Sequence, residues 1–368
     1  MSSFEINPTF CFSLLGSFAI YVWTRPTLRA LLAVVTIAMV LRILFLRALG
    51  GFGAYYGAGW ISSGAFLGIS SLGALAAARE RSAFYAAAAV PLCNLVIGYT
   101  IPLTTWLSPR TFDGLLLKFD GTLGFQPSFV LGRLLVDRPE YWGPTTVIYY
   151  ALPFAVGLVY GGHRLERREV KLLPLLLSMM VVGFLQYSLF PAAGPAYAFR
   201  GAYPYAPPRE IPLEAMAVPG AVRNCMPSLH FAAALLVWWN ARFLPLAGRA
   251  LSFAFMVATG FATLALGEHY VADLIVAVPF TLVFQAAWSS GGEVARELAI
   301  IAGCGLTAAW LIALRWGSFV WRFSWLWIAL TVAACAAAAM AVRGGNAVSI
   351  HNPKEEQTSC LAVQRTKR

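Results

Sequence analysis

Long apolar segments recur along most of the chain, and they constrain the fold more than any other feature of the sequence. A helix needs roughly 20 apolar residues to cross a bilayer. Hydrophobic residues make up 59% of the chain and charged residues 12%, whereas soluble domains carry about 45–50% and about 25%. We therefore predict an all-α fold, a polytopic transmembrane helical bundle. About eleven segments qualify as spans: near 9–24, 30–49, 58–78, 83–105, 141–161, 172–190, 228–246, 250–268, 272–289, 298–314 and 319–342.

The net charge of +11 is carried by short basic clusters between the apolar segments. Basic residues collect on the cytoplasmic side of membrane proteins. If all the spans cross, the clusters fall on one side, with the N-terminus outside and the C-terminus inside. This pattern favours membrane orientation over nucleic-acid binding. The clusters are Arg25 and Arg29, Arg79 and Arg81, the 163–171 loop, Arg242 and Arg249, and the tail after Arg343.

Two long loops, 106–140 and 191–227, then lie on the extracytoplasmic side. Asp113 and Asp120 are seven residues apart, so on a helix they share one face. We predict a helix lying in the membrane interface; the polar edge of a surface helix explains the spacing equally well. The second loop is rich in Pro, Gly and Tyr, and a long structured loop of this kind is typical of a functional segment.

The chain contains four histidines, and two of them begin predicted spans. His163 lies in a basic loop and His351 in the tail, and we interpret both as solvated. His230 and His269 are separated by two membrane crossings with a cytoplasmic turn between them. Because the chain leaves His230 inward and returns to His269, both histidines should lie on the same membrane face at similar depth.

Residues near these two histidines suit phosphoryl transfer. Asp273 follows His269 by four residues, so on a helix its carboxylate would face the imidazole and orient it. Ser228 has the character of a helix cap, and the free N–H groups of a helix N-terminus attract anions. Arg223 lies nearby on the loop. A nucleophile, a proton donor and anion-binding groups are what transfer at phosphorus requires.

Two other roles for these residues remain open on the sequence alone. His230, His269 and Asp273 could ligate a metal, although no HExxH motif is present. The histidines could also be ordinary hydrogen-bonded residues at span ends. Cys225 lies beside the first motif, and we interpret it as a packing residue.

At these motifs the sequence resembles the type 2 phosphatidic acid phosphatase (PAP2) superfamily. Met226-Pro227-Ser228-Leu229-His230 is similar to its second motif, and the segment from Gly267 to Asp273 is similar to the end of its third. The resemblance implies a six-helix catalytic core at 83–289, between N-terminal helices at 1–82 and C-terminal helices at 290–342, followed by a basic tail at 343–368. The 106–140 loop and Gly194-Pro195 resemble the inositolphosphotransferase, or inositol phosphorylceramide synthase, branch.

The resemblance implies a catalytic role for each matching residue. His269 would attack phosphorus and form a phosphohistidine, Asp273 would orient it, and His230 would protonate the leaving oxygen. Ser228 and Arg223 would bind the phosphate. No metal or other cofactor is implied.

The sequence departs from the family pattern at two phosphate-binding elements. The Lys and Arg-Pro element of the first motif is missing in its standard form, and Ala262 and Thr263 stand where the third motif has Ser-Arg. We predict that Arg200 or Arg223 supplies the missing positive charge, and Arg209 is a further candidate.

The resulting functional prediction is a membrane enzyme whose donor is a phospholipid or lipid phosphate. The acceptor would be water, for a phosphatase, or an alcohol, for a phosphotransferase, and the site would face the extracytoplasmic side. The principal alternative is a transporter or flippase of lipid-linked cargo, which about eleven spans fit equally well and which predicts helices broken at mid-membrane. A degenerate family member kept as a structural subunit is a third reading.

Overall fold

The computed structural model describes residues 103–165, 171–316 and 321–344, together with the single positions 12, 15, 16, 19, 36 and 101. Helices dominate the described ranges, in agreement with the predicted all-α class. Apart from these single positions, the spans predicted at 9–24, 30–49 and 58–78 lie outside the described residues, as do most of the span predicted at 83–105 and most of the 343–368 tail. The domain boundaries predicted there stay predictions.

The first described elements form the 106–140 loop and the bent helix pair that follows it. They are β1 (Arg110–Thr111), α1 (Asp113–Gly121), α2 (Pro127–Asp137), α3 (Trp142–Tyr150) and α4 (Leu152–Leu165). A short antiparallel ladder joins β1 to β2 (Met216–Ala217) and so ties the two long loops together. The stretch from 139 to 163 is bent by 49° at Ala151.

The remaining helices include the longest apolar ones. They are α5 (Leu172–Leu189), α6 (Pro195–Ala198), α7 (Leu229–Asn240), α8 (Leu246–Ala265), α9 (Val271–Ala287), α10 (Glu293–Trp316) and α11 (Ser324–Gly344). Helix α9 packs against α7, α10 and α11, while α7 packs against α8. Helix α7, which contains His230 in its first turn, and helix α9, which begins just after His269, therefore both lie within the bundle.

Four described helices are long and apolar enough to cross a membrane, and the bent pair would make a fifth. The four are α5, α8, α10 and α11. The spans predicted at 228–246 and 272–289 correspond to α7 and α9, which have only 12 and 17 residues. At 1.5 Å per residue, α7 is about 18 Å long, well short of a hydrocarbon core of about 30 Å. The count of about eleven spans is therefore not confirmed.

Helix α1 does not lie on a surface, so both interpretations of the Asp113 and Asp120 spacing are wrong. Both carboxylates are buried, as are the apolar residues between them. Phe119 packs edge-on against Trp310 of α10, with ring centroids 5.5 Å apart. The spacing predicts an amphipathic pattern, but distant backbone N–H groups satisfy both carboxylates and allow the helix to be buried except at Lys118 and Gly121.

His163 is also placed differently from the prediction of a solvated residue. Its side chain is buried, and Nε2 lies 2.6 Å from the backbone oxygen of Asn240. The imidazole thus joins the end of α4 to the end of α7. A loop position in the sequence did not reveal this contact, because Asn240 is far away along the chain.

Candidate active site

Two short segments, 225–228 and 268–273, meet at one end of the bundle. The N–H of Ser228 donates to the backbone oxygen of Asp273 (3.3 Å). Phe231, in the first turn of α7, packs on Gly260 near the end of α8, where an added Cβ would lie 3.3 Å from its ring. The α7–α8 hairpin therefore brings the start of α7 and the end of α8 together, as the topological argument for His230 and His269 predicts.

His269 is buried, and one of its ring nitrogens is held by neighbouring oxygens. Nδ1 lies 3.0 Å from the carbonyl oxygen of Cys225 and 3.5 Å from Oδ2 of Asp273. Both neighbours are acceptors, which assigns the proton to Nδ1 and leaves the lone pair on Nε2. The carbonyl is the closer partner, so Asp273 is not the main acceptor that the sequence argument expected.

The reason given for the pairing of His269 and Asp273 also needs correction. His269 lies in the turn between α8 and α9 and not on a helix, because α9 begins at Val271. Asp273 lies in the first turn of α9. The two side chains meet because the turn folds back onto the helix start, so helical i, i+4 geometry is not the cause.

The turn that carries His269 is fixed by hydrogen bonds from several elements. The backbone oxygen of Thr263 accepts from the N–H groups of Glu268 (3.1 Å) and His269 (3.3 Å). Ser128 Oγ donates to the backbone oxygen of His269 (2.8 Å), and Tyr197 donates to Glu268 Oε1 (2.7 Å). Thr263 stands where the third motif would have a charged residue, and its backbone organises the turn.

Asp273 has one engaged carboxylate oxygen and one free one. Oδ2 accepts from the backbone N–H of Tyr270 and from the thiol of Cys225, both at 2.7 Å. Oδ1 is buried and has no hydrogen-bond partner among the described residues. The carboxylate is therefore oriented by two donors besides the imidazole of His269.

His230 occupies the first turn of α7, as predicted, and is partly exposed. Its ring stacks on Tyr149, with centroids 4.1 Å apart and planes inclined by 19°. His230 and His269 lie close enough to interact electrostatically. Tyr149 lies just before the bend at Ala151, and no sequence motif marked it, because stacking depends on how α3 meets α7.

Removal of the Tyr149 ring is expected to lower activity by about 10- to 100-fold, because loss of the stack frees the His230 imidazole to leave its reactive orientation. Tyr149→Leu removes the aromatic face, whereas the matched variant Tyr149→Phe keeps it and loses only the hydroxyl. Initial rates for the two variants, corrected for folded protein, measure the difference. Equal activities would show that stacking does not position His230.

Ser228 caps α7, as predicted from its place before the apolar segment. Its Oγ is buried and accepts from the N–H of Phe231 (3.3 Å). The hydroxyl proton remains available for donation to an anion. Binding of phosphate by Ser228 stays a prediction.

Arg223 is buried, and its guanidinium donates to three backbone carbonyls. Nε donates to Ser108 (2.9 Å), Nη2 to Pro109 (3.0 Å) and Nη1 to Ala221. These bonds join the two long loops, a structural role that the sequence did not indicate. A contact with phosphate would have to use the N–H groups that remain, so the predicted phosphate role is untested.

Arg200 is exposed and lies at an open surface depression formed by 197–202 and 217–219. Tyr197 lines the same depression and bonds to Glu268, the neighbour of His269. Tyr197 therefore links one wall of the depression to the turn that carries His269 by a hydrogen bond. Binding of phosphate by Arg200 stays a prediction.

Asp113 holds the Pro-Gly loop against the site. Its carboxylate accepts from the N–H groups of Ala193 (3.0 Å) and Gly194 (2.8 Å) and from the hydroxyl of Tyr270 (2.9 Å). Burial raises the pKa of Asp113, and these donors lower it in part. Gly194 adopts φ +93°, and a Cβ there would lie 2.4 Å from the backbone oxygen of Glu268, so only glycine fits this approach to the turn.

Asp120 binds the N-terminus of α9. Its two oxygens accept from the N–H groups of Val271 (2.9 Å) and Ala272 (3.2 Å). A carboxylate at a helix N-terminus satisfies backbone donors that have no helical partner. Burial raises the pKa of Asp120 to about 8; the Asp273 carboxylate also raises it, while the two backbone donors lower it.

Asp120→Asn is expected to lower the free energy of unfolding by about 1–3 kcal/mol, because both oxygens of the acid accept from N–H groups, whereas the amide replaces one oxygen by an NH₂ donor that cannot accept. The folded-state pKa of about 8 exceeds the ordinary value of 3.8, so the native state retains a proton that the unfolded chain releases. Wild-type stability should therefore fall as the pH rises from about 5 to about 8. Thermal unfolding in detergent should give a shallower slope for Asp120→Asn; identical slopes would contradict this account.

Three residues of the site have ligand atoms close enough together to hold a metal ion. They are Cys225, His269 and Asp273, with ligand atoms within 4.8 Å of one another. A thiol, an imidazole and a carboxylate would suit a thiophilic ion such as Zn²⁺. The hydrogen bonds from Nδ1 of His269 and from the thiol already account for the arrangement without an ion.

Both motifs lie inside a segment that matches a known protein family. Residues 114–287 match the PAP2 superfamily. The match covers slightly less than half of the chain and includes every predicted site residue. It lies inside the predicted core at 83–289, identifies no branch of the PAP2 superfamily and does not support the transport alternative. Comparisons with curated proteins and with solved structures gave no significant match.

Proposed function

We propose that this protein is a membrane phosphatase or phosphotransferase that acts on a lipid-linked phosphate through a phosphohistidine at His269. PAP2 superfamily members are phosphatases, and several apolar helices of this chain could cross a membrane. The observation that carries the proposal is the state of His269. Its Nδ1 is held by the Cys225 carbonyl and Asp273, and this arrangement leaves the Nε2 lone pair for attack on phosphorus.

In the first step the Nε2 lone pair of His269 forms a bond to phosphorus while the bond from phosphorus to the lipid oxygen breaks. Positive charge that develops on the imidazole is stabilised through Nδ1 by the carbonyl and the carboxylate. His230 in its protonated form gives its proton to the leaving oxygen. This step releases the lipid alcohol and leaves a phosphohistidine.

In the second step water or an alcohol attacks the phosphohistidine. Neutral His230 takes the proton of the attacking hydroxyl, the N–P bond breaks, and its electrons return to Nε2. The product is inorganic phosphate or a new phosphoester, and both histidines return to their starting states. The Tyr149 stack keeps one imidazole in place for both proton transfers.

The phosphate oxygens need donors, and three groups are candidates. The hydroxyl of Ser228 and the N–H groups of the first turn of α7 lie on the His230 side. Arg200 lies at the depression whose lining residue Tyr197 donates to Glu268. We propose that these groups bind phosphate and that Arg223 mainly fixes the loops. The site would open to the extracytoplasmic side.

A labelled donor distinguishes the two forms of the reaction. Purified protein in detergent is incubated with a lipid phosphate carrying ³²P, alone and with ceramide, a polyol or a sugar as acceptor. A labelled acceptor product supports phosphoryl transfer to an alcohol. Release of inorganic phosphate alone, with every acceptor, would remove the transferase and leave a phosphatase.

A further inference from the structure

Cys225 contacts both members of the His269–Asp273 pair. Its carbonyl oxygen accepts from His269 Nδ1 (3.0 Å), and its Sγ lies 2.7 Å from Asp273 Oδ2. Its own N–H donates to Ala192 (3.2 Å), in the loop that Asp113 holds. The residue is completely buried. Backbone and side chain of one residue therefore face the two groups that prepare the nucleophile.

The surroundings of Sγ are not those of a cysteine that only fills space. Besides Asp273, the backbone oxygen of Glu268 lies 3.2 Å away. A thiol has one proton to donate, and the carboxylate is the closer and more strongly accepting neighbour. Burial raises the pKa of Cys225, and the nearby carboxylates raise it further, so the group stays a protonated donor.

We propose that Cys225 is a positioning residue for the phosphohistidine reaction, in which its thiol donates to Asp273 and thereby fixes the carboxylate beside His269 Nδ1. This inference rests on the proposed function. Without the thiol, Oδ2 would keep only the backbone N–H of Tyr270 as a donor outside the histidine. The carboxylate could then rotate away from the imidazole, and the charge that develops during attack would be less stabilised.

The test compares Cys225→Ala, which removes the donor, with Cys225→Ser, which replaces it by a hydroxyl. Cys225→Ala is expected to lower kcat by about 10- to 100-fold with little change in KM. In the plot of kcat against pH, the acid limb of Cys225→Ala should move to higher pH by roughly 0.5–1 unit, because the Asp273 carboxylate loses a hydrogen bond that favours its charged form. Cys225→Ser should stay near wild type in both respects. Cys335→Ala, at a buried cysteine of α11, is the matched control.

An infrared measurement tests the contact independently of activity. The S–H stretching band, isolated as the difference between wild type and Cys225→Ala, should show the lowered frequency of a hydrogen-bonded thiol. In Asp273→Ala it should move toward the frequency of a free thiol. A free-thiol band in wild type would overturn the role of Cys225 whatever the activity.

The kinetic outcomes separate this inference from the proposed function. If wild type turns over a lipid phosphate and Cys225→Ala matches it in kcat and pH profile, the role of Cys225 is wrong and the reaction stands. If Cys225→Ser is as slow as Cys225→Ala, the claim that hydrogen-bond donation by the side chain positions Asp273 is wrong. If wild type forms no phosphohistidine, the proposed function fails, and the positioning role fails with it.

Discussion

His269→Gln is expected to abolish turnover, with a loss of about 10⁴-fold or more, because the reaction has no nucleophile without Nε2. Glutamine keeps similar bulk and hydrogen-bonding capacity, so the surrounding turn should survive. Since His269 is buried and its backbone is held by Ser128 and Thr263, the variant should fold. Phosphate release from a lipid phosphate, measured with purified protein at matched concentrations, gives the loss.

His163→Gln serves as the matched control for this variant. It changes a histidine that is also buried but is bonded to Asn240 at the other end of α7. Activity per folded molecule should remain near wild type. A His269→Gln variant that keeps more than a few percent of wild-type activity would contradict nucleophilic catalysis by this residue.

The second large effect concerns His230. The fall in rate caused by replacing this residue should depend on the leaving group. His230→Gln is expected to slow hydrolysis of an alkyl lipid phosphate by about 10²- to 10⁴-fold, the usual contribution of general acid catalysis. An aryl phosphate such as p-nitrophenyl phosphate releases a weakly basic phenolate that needs no proton. Release of p-nitrophenolate in the first turnover, which precedes the step in which His230 acts as a base, should fall far less in the same variant than first-turnover release of the lipid alcohol.

The comparison across both variants assigns the two histidines to separate roles. His269→Gln should lose activity toward both substrates equally, since each reaction needs the nucleophile. In His230→Gln, first-turnover release of the leaving group should slow mainly for the alkyl substrate. Equal losses of the first-turnover rate for both substrates in His230→Gln would contradict its role as proton donor.

The hairpin argument shows what the sequence alone supports. Two apolar segments separated by a basic turn predict that their ends away from the turn meet, and the contacts between 225–228 and 268–273 confirm this. The sequence also predicts that Ser228 caps a helix, and the structure confirms it, because capping depends on residues that are neighbours in the chain. Apolar segments gave the positions of α5, α8, α10 and α11 for the same reason.

The remaining features depend on contacts between residues that are distant in sequence. Asp120 is buried because N–H groups about 150 residues away donate hydrogen bonds to its carboxylate, and no local sequence pattern indicates such a bond. The stack of Tyr149 on His230 and the contacts of Cys225 arise in the same way. The predicted helix lengths were wrong where apolar residues continue from a helix into a turn, as between α7 and α8.

The most direct test of the account is to trap the covalent intermediate. Wild type and His269→Gln are mixed briefly with a ³²P-labelled lipid phosphate, quenched in alkali and separated from free label. Wild type should carry an acid-labile, alkali-stable phosphoryl group, and His269→Gln should carry none. Turnover by wild type with no trapped label, or equal label in both proteins, would contradict the claim that His269 takes the phosphate.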